Sequence, residues 1–177
     1  MVHSTRLESV QAFAYVGSNP TSSAMNTDYE AAMRVALDHA EWAASSGDVP
    51  VGAVVLYKNE IIAARHNERE ALNDPTAHAE VLALRDAAAA LGTWHLDECT
   101  LVVTLEPCIM CAGAVINSRI HTLVFGAADL KGGATSSLYN VCADPRLNHN
   151  PVVINGVLQH ESAELLKNFF EPKRAGN

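Results

Sequence analysis

The chain has 177 residues, of which 49% are hydrophobic, so it is long enough to bury the core of one domain without disulfide bonds. No apolar run approaches the ~20 residues of a membrane span, and the N-terminus lacks a basic cluster followed by an apolar stretch, so we expect a cytoplasmic protein with no membrane association. The formal net charge of −8 argues against a protein that binds nucleic acid over its whole surface, so a contact with phosphates would require a local basic patch.

Residues 1–26 differ in composition from the rest of the chain. The stretch SNPTSSAMNT is rich in small polar residues and has no clear period, which is typical of a flexible extension. A helix is predicted from Thr27, which would form a capping box with Glu30, to a stop at Gly47. We expect residues 27–174 to form a single domain.

The next part of the chain predicts a β-hairpin and a helix. The apolar runs VGAVVLY (51–57) and IIAARH (61–66) flank a polar Lys-Asn-Glu turn, which favours a hairpin. A helix over 75–91 follows, with Asp74 as its N-cap and Pro75 in its first turn.

The second half of the chain alternates strands and helices. The predicted strands are TLVVTL, HTLVFG and PVVING, and the predicted helices run over 107–117 and 161–170. A βαβαβ order after a leading hairpin implies a mixed sheet with helices on both faces.

The cysteine spacing indicates a metal site. Of the four cysteines, Cys108 and Cys111 form a C-x-x-C pair, which in a reducing compartment is typical of metal binding or redox chemistry. They lie at the predicted start of a helix, where their sulfurs can converge on one ion and the helix N-terminus favours thiolates. His78 also lies near a helix start that follows a β-segment, and such starts meet at the carboxyl ends of strands. Thiolate and imidazole ligands suit Zn²⁺.

A site with three protein ligands would be catalytic. The fourth position of zinc is then left for water, whose pKa falls to about 7, and a base is needed to take its proton. Glu80 is the candidate base. On a regular helix, however, residues two apart are separated by roughly 200° around the axis, so spacing alone does not place His78 and Glu80 side by side.

Other interpretations stay open from these residues alone. The C-x-x-C pair could be a redox pair, although the Ile109-Met110 between the cysteines lacks the Gly-Pro character usual in that motif. A non-catalytic, zinc-stabilised binding module would have no need for Glu80. Its closed zinc site would require a fourth ligand, for which the chain offers Cys99, Cys142, His95 and His121.

The sequence also resembles a known family. His78-Ala79-Glu80 and Pro107-Cys108-Ile109-Met110-Cys111 match the H-x-E…P-C-x-x-C signature of zinc-dependent nucleobase deaminases. The stretches VPVGAVV, DPTAHAE, TLEPCIMCAGA, SRI and LLKNFF are similar to the bacterial tRNA-specific adenosine deaminases, which form inosine at the wobble position. The resemblance covers about 28–174. It implies a three-layer αβα cytidine-deaminase-like fold with a central mixed sheet of about five strands, a homodimer, and one Zn²⁺ per subunit.

The resemblance also implies roles for individual residues. His78, Cys108 and Cys111 would be the metal ligands, and Glu80 would move protons from water to the adenine N1 and the leaving amine. Asn67 would contact the base. The same zinc chemistry also serves deaminases of a free nucleobase or nucleotide, such as guanine or cytosine, and the catalytic motif alone does not separate the two.

An anticodon stem-loop needs a recognition surface. The resemblance places contacts to it, in this chain, at Asp129, Lys131, Asn148 and His149. A base flipped out of the loop would enter an apolar pocket, for which the candidate residues are Val49, Pro50, Val51 and Leu105. Basic residues that could form a rim lie in the second half of the chain, at Arg119, Lys131, Arg146, His149, Lys167, Lys173 and Arg174.

Overall fold

The computed structural model describes the backbone of residues 23–175 and the side chains of 29–171. The strands are β1 (Gly52–Tyr57), β2 (Glu60–His66), β3 (Cys99–Leu105), β4 (Thr122–Ala127) and β5 (Val152–Asn155). The α-helices are α1 (Ser23–Ser45), α2 (Arg69–Leu72), α3 (Ala79–Leu91), α4 (Ile109–Asn117) and α5 (Gln159–Ala175). None of these helices is both long enough and apolar enough to cross a bilayer.

The five strands form one mixed sheet in the order β2-β1-β3-β4-β5. Strand β1 is antiparallel to both β2 and β3, and β4 is parallel to both β3 and β5. Strands β2, β3, β4 and β5 therefore point in the same direction, and their carboxyl ends lie at one edge of the sheet. Polar side chains that follow these strands can meet at that edge.

Helices cover both faces of the sheet because the strands are apolar on both sides. Alternate strand residues such as Leu101 and Val103 join the core cluster that contains α3 and α4. Their neighbour Val102 packs in a second cluster with Met33 and Ala36 of α1. Alternate side chains of a buried strand therefore pack against two helix layers, one on each face of the sheet. This is the expected three-layer αβα architecture.

Helix α1 packs very closely on the sheet. A Cβ atom on Gly52 would lie 1.9 Å from the Ala36 carbonyl oxygen, so only glycine allows this approach of helix to strand. The helix ends at Ser45, and Gly47, the predicted stop, follows two residues later with a φ of +86°.

The predicted start of α1 is wrong. The helix begins at Ser23, so the backbone of Thr27 is already helical and Thr27 is not the N-cap of a capping box. Of the predicted N-terminal extension, 1–22 lies outside the described residues and 23–26 belongs to α1.

The predicted helix over 75–91 is also shorter than expected. The Asp74 carboxylate accepts hydrogen bonds from the backbone N–H and the hydroxyl of Thr76, both at 2.7 Å, and so forms a local turn instead of capping a helix. Residues up to His78 are extended or turned, and α3 begins at Ala79. The short helix α2 was not predicted, because no apolar period marks its four residues.

We predict that Met33 stabilises the α1 layer. The Met33 side chain is fully buried, so Met33→Ala should lower the free energy of unfolding by about 2–5 kcal/mol. The neighbouring Arg34 is exposed and has a similar helix propensity, so Arg34→Ala should change it by less than about 0.5 kcal/mol. Urea denaturation of both variants measures the difference, and equal losses would contradict the packing of α1 described above.

Candidate metal centre and active site

The turn between β3 and α4 presents two sulfurs. Cys108 is the N-cap of α4, with an extended backbone (φ −70°, ψ 174°), and Cys111 lies in the first turn of the same helix. The Cys111 side chain is buried, whereas Cys108 is half-buried. Both residues therefore sit where the partial positive charge of a helix N-terminus favours thiolates.

His78 brings an imidazole to the same point. It is the extended N-cap of α3, which starts at the same edge of the sheet as α4. Its Nδ1 lies 3.8 Å from Cys108 Sγ and 3.5 Å from Cys111 Sγ, and the three candidate ligand atoms all lie within 4.8 Å of one another. One nitrogen and two sulfurs at this spacing fit a tetrahedral Zn²⁺ site with three protein ligands.

A fourth protein ligand is not found among the described residues, where this group has three members. The other two cysteines, Cys99 and Cys142, are buried in the core. His95 Nδ1 pairs with Asp97 at 3.1 Å, and the His121 ring lies 2.9 Å from the Thr122 hydroxyl. The arrangement therefore favours an open metal site over a closed structural one.

The two thiols differ in their readiness to ionise. A hydrogen bond with the Cys111 thiol, together with one from His78, outweighs burial and lowers the pKa of Cys108 to about 3. The same sulfur–sulfur contact, together with burial, raises the pKa of Cys111. Cys108 is thus the thiolate of the pair, and a bound cation would favour ionisation of the second thiol as well.

Glu80 lies beside the metal ligands. It is in the first turn of α3, its side chain is 3% exposed, and its Oε2 is buried without a hydrogen-bond partner among the described residues. Burial raises the pKa of the carboxyl. On a regular helix, His78 and Glu80 would point to opposite sides. His78, however, is an extended N-cap and not part of the helix, so this separation does not apply to the pair. A buried carboxylate oxygen without a protein partner is suited to bind a reacting group.

Asn67 braces the start of α3. Its Oδ1 accepts a hydrogen bond of 2.9 Å from the backbone N–H of Ala79, the residue between His78 and Glu80. Its own backbone N–H donates to the Val51 carbonyl at 3.0 Å. Within the described residues, the Nδ2 amide has no hydrogen-bond partner. Asn67 therefore links β1 to the metal-site helix and leaves a donor for a substrate.

The candidate apolar pocket residues surround the start of β1 and the end of β3. Val49 and Leu105 are half-buried against the core cluster that includes Ala79, whereas Pro50 and Val51 are buried. The structure thus brings Val49 and Leu105 to the same sheet edge as the metal ligands, and Val51 belongs to the core.

The loop after β4 lies against the metal turn. The Ala134 N–H donates to the Pro107 carbonyl at 2.8 Å, and Cys108 forms a β-bridge with Gly133. The Asp129 carboxylate accepts hydrogen bonds from the backbone N–H groups of Lys131 and Gly132. Asp129 and Lys131 are therefore near the metal group, although the Asp129 carboxylate is already engaged in a turn.

Asn148 and His149 lie elsewhere. Asn148 Oδ1 accepts a hydrogen bond from Arg119 at 2.8 Å, and His149 Nε2 lies 2.6 Å from the Ile120 carbonyl oxygen. Arg119 and Ile120 precede β4, so this pair is at the opposite edge of the sheet from the metal ligands. Within one chain, the structure does not bring them to the site.

Two residues of the predicted basic rim are paired with acidic groups. Arg146 forms a salt bridge of 2.5 Å with Asp144, and Lys167 lies 3.8 Å from Glu164. The side chains of Lys173 and Arg174 lie outside the described ones. Among the described side chains, a continuous basic rim around the site is therefore not evident.

Glu106 is a buried acidic residue to which the sequence pattern gives no role. Burial would raise the pKa of its carboxyl, but hydrogen bonds from the Ser137 hydroxyl and from backbone N–H groups, including those of Ser137, Asp129 and Ser136, lower it to about 2. The signal in the sequence is a glutamate directly after an apolar strand, next to the metal-ligand turn.

Comparisons with known proteins agree with this geometry. Residues 27–174 match the family of MafB19-like deaminases. A tRNA-specific adenosine deaminase of Bacillus subtilis is 47% identical over 84% of this chain and 92% of that protein, and one of Haemophilus influenzae is 45% identical over 82% of this chain and 84% of that protein.

A solved structure is similar in fold as well. The chain from a structural study of A-to-I editing by tRNA:A34 deaminases is 43% identical, with a TM-score of 0.75 over 77% of this chain and 99% of that one. A guanine deaminase of Nitrosomonas europaea is more distant, at 29% identity and a TM-score of 0.69 over 79% of this chain and 83% of that one. Fold, metal-site geometry and identity agree, and the chain belongs to the family of tRNA-specific adenosine deaminases within the MafB19-like deaminases.

Proposed function

We propose that this protein hydrolyses adenosine to inosine at the wobble position of a tRNA anticodon. The observation that carries the proposal is the His78, Cys108 and Cys111 group with the buried, unpaired Glu80 oxygen beside it. Relatives at 45–47% identity that are named for this activity support the choice of substrate. A tRNA substrate would place the activity in the cytoplasm.

We propose that the three-residue group holds one Zn²⁺ per chain. Zinc bound there would make a water molecule nucleophilic at neutral pH. His78 and Cys108 are the N-caps of α3 and α4, and Cys111 lies in the first turn of α4. With these three protein ligands, a bound zinc ion would have one position left for water.

Glu80 is the proposed proton carrier. Hydrolytic deamination adds a water oxygen to C6 of adenine, places a proton on N1, and releases the C6 amino group as ammonia. Glu80 accepts one proton of the attacking water and passes it to N1. It then takes the second proton from the new C6 hydroxyl and donates it to the amino group, so that the C6=O bond forms as the C6–N bond breaks and ammonia leaves. Its raised pKa suits a carboxyl group that must both accept and donate a proton.

The flipped adenine is proposed to bind against Asn67. The Nδ2 amide of Asn67 would donate a hydrogen bond to the base, while its Oδ1 keeps α3 in place. Val49, Pro50 and Leu105 would supply apolar contacts. Unstacking the base costs a few kcal/mol, which these contacts and the RNA contacts outside the pocket must offset.

The RNA contacts are proposed to come from two parts of the surface. Asp129 and Lys131 lie on the loop beside the metal group and can meet the anticodon loop directly. Asn148 and His149 lie at the far edge of the sheet, so they can contribute to a site only if a second subunit places them there. The proposed homodimer would do this and would also complete the basic rim.

The guanine deaminase structures support a second candidate, the deamination of a free base. Two structures named guanine deaminase are similar in fold, with identities of 29% and 39%. The distinguishing experiment incubates the zinc-loaded protein with an anticodon stem-loop bearing adenosine at the wobble position, and separately with free adenosine, cytidine and guanine. Inosine only in the stem-loop is the expected result, whereas turnover of a free base alone would favour the second candidate.

We predict that Glu80→Gln removes the activity and keeps the metal. Glutamine has the same shape but cannot accept and return a proton, so kcat on the stem-loop should fall by about 10²–10⁴-fold. Zinc content measured by mass spectrometry should remain at one ion per chain. The exposed Glu41 gives the control variant Glu41→Gln, which should match the wild type. Loss of zinc from Glu80→Gln would contradict the proposed role.

We predict different effects for two substitutions of Asn67. Asn67→Asp keeps an acceptor for the Ala79 N–H but removes the donor to the base, so kcat/KM should fall by a factor of roughly 10 to 100 while Tm stays close to that of the wild type. Asn67→Ala removes both interactions and should lower kcat/KM and Tm together. Equal Tm losses in both variants, with equal kinetics, would mean that Asn67 acts only as a brace.

We predict that Leu147 lies in the dimer contact. Ile109 and Leu147 are 56% and 41% exposed, and with Val141, Arg146 and Asn148 they line a groove of about 420 Å³ along α4. Leu147→Glu should convert a dimer into a monomer in light-scattering measurements. Leu72→Glu, at a leucine that is 54% exposed in α2, should leave the dimer intact. A wild-type protein that is monomeric would contradict the proposed assembly.

A further inference from the structure

The Glu106 carboxylate is the centre of a hydrogen-bond network that the proposed reaction does not use. Its side chain is 2% exposed and lies between the last residue of β3 and Pro107, two residues before the metal ligand Cys108. A buried carboxylate is costly unless its oxygens are fully paired, so the identity of its partners indicates its purpose.

All of its partners belong to one loop, residues 129–137. Oε1 accepts hydrogen bonds from the backbone N–H groups of Thr135 (3.1 Å), Ser136 (2.8 Å) and Ser137 (2.9 Å). Oε2 accepts one from the backbone N–H of Asp129 at 3.1 Å. The hydroxyl groups of Thr135, Ser136 and Ser137 donate to the same carboxylate. The carboxylate therefore gathers both ends of the 129–137 loop.

The backbone of the 129–137 loop also packs directly on the Glu106 side chain. A Cβ atom on Gly133 would lie 2.4 Å from the Glu106 Cδ, so the loop backbone passes directly over the side chain. On the other side, Gly133 forms the β-bridge with Cys108. Loop, carboxylate and metal-ligand turn are thus packed as one unit.

The exposed part of the same loop is the part proposed to meet RNA. Leu130 is 81% exposed and Lys131 is exposed, whereas Ala134 and Thr135 are buried. A loop whose tip faces solvent has few apolar contacts of its own to hold it, so its position depends on the hydrogen bonds at its base.

We propose that Glu106 is a positioning residue that holds the 129–137 loop against the metal-ligand turn, so that Asp129 and Lys131 are presented to the anticodon stem-loop. This inference rests on the proposed function. Glu106 makes no proposed contact with the substrate. It acts through the loop, by fixing the position of the loop relative to the metal ligands.

The test compares two identical substitutions at the two ends of β3. Glu106→Gln replaces one acceptor oxygen by an NH₂ group that faces N–H donors, which leaves several of them unpaired. KM for the stem-loop should rise about tenfold while kcat changes by less than about threefold. Glu98→Gln, at an exposed glutamate just before β3, should leave both unchanged.

Two further readouts do not depend on turnover. Zinc content should stay at one ion per chain in Glu106→Gln. Backbone amides of Asp129 and of 135–137 should exchange hydrogen faster than in the wild type, while amides of β3 and β4 should exchange at the same rate. Loss of zinc, or faster exchange throughout the sheet, would overturn the proposal, because Glu106 would then hold the metal site or the fold as a whole. An unchanged KM with unchanged exchange would overturn it too.

A milder variant covers the case in which Glu106→Gln does not fold. Ser137→Ala removes one hydroxyl donor and should shift KM and amide exchange in the same direction by a smaller factor.

A double-mutant cycle tests whether Glu106 acts through the loop. Glu106→Gln should have a smaller effect on KM in a Lys131→Ala background, since the two residues act through one loop. Additive effects would contradict the proposal. If the wild type forms no inosine, the proposed function fails. The role of Glu106 is then decided by comparing the stem-loop affinity and the amide exchange of Glu106→Gln with those of the wild type.

Discussion

The site depends on the convergence of two helix starts at one edge of the sheet. Helices α3 and α4 begin with extended N-cap residues, His78 and Cys108, and this conformation turns both side chains towards the space between the helices. The convergence is possible because the strands that precede the two helices, β2 and β3, point in the same direction. The antiparallel strand β1 lies between them, and the backbone N–H of Asn67 donates to the carbonyl of Val51, the residue directly before β1. A change in strand order or register would therefore separate the imidazole from the two sulfurs.

Two buried glutamates at this edge have opposite environments. Glu80 has an oxygen without a protein partner among the described residues and a raised pKa, as suits a group that exchanges protons. Glu106 is saturated with donors, and the pKa of its carboxyl is lowered to about 2, as suits a permanent anion with a structural task. Burial raises the pKa of the Glu80 carboxyl, whereas at Glu106 the donated hydrogen bonds outweigh burial. The same residue type thus suits two different proposed roles, proton transfer at Glu80 and loop positioning at Glu106, each two residues away from a proposed metal ligand.

Local patterns predicted most of the fold and the metal ligands. Apolar runs and turn residues predicted the hairpin, and the order of strands and helices predicted the helix layers. A glycine, which readily adopts a positive φ, predicted the stop of α1 at Gly47. Each of these signals lies within a short stretch of sequence. The predicted start of α3 was wrong because aspartate followed by proline occurs both at helix N-termini and in turns, and here Asp74 and Pro75 form a turn. The sequence shows a glutamate directly after the strand β3 but does not show the role of Glu106, since its partners lie 23–31 residues further along the chain. The distance of Asn148 and His149 from the site likewise depends on the path of the long segment between β4 and β5, which contains one 3₁₀ turn, Val141–Ala143, and no regular period.

The central claim is that three side chains hold one zinc ion and leave one position open. X-ray absorption spectroscopy of the zinc-loaded protein measures the ligands directly. We expect one nitrogen at about 2.0–2.1 Å, two sulfurs at about 2.3 Å and one light atom from solvent around the zinc. A spectrum with a third sulfur, or with a second imidazole in place of the solvent atom, would mean that the site is closed and would contradict the proposed chemistry.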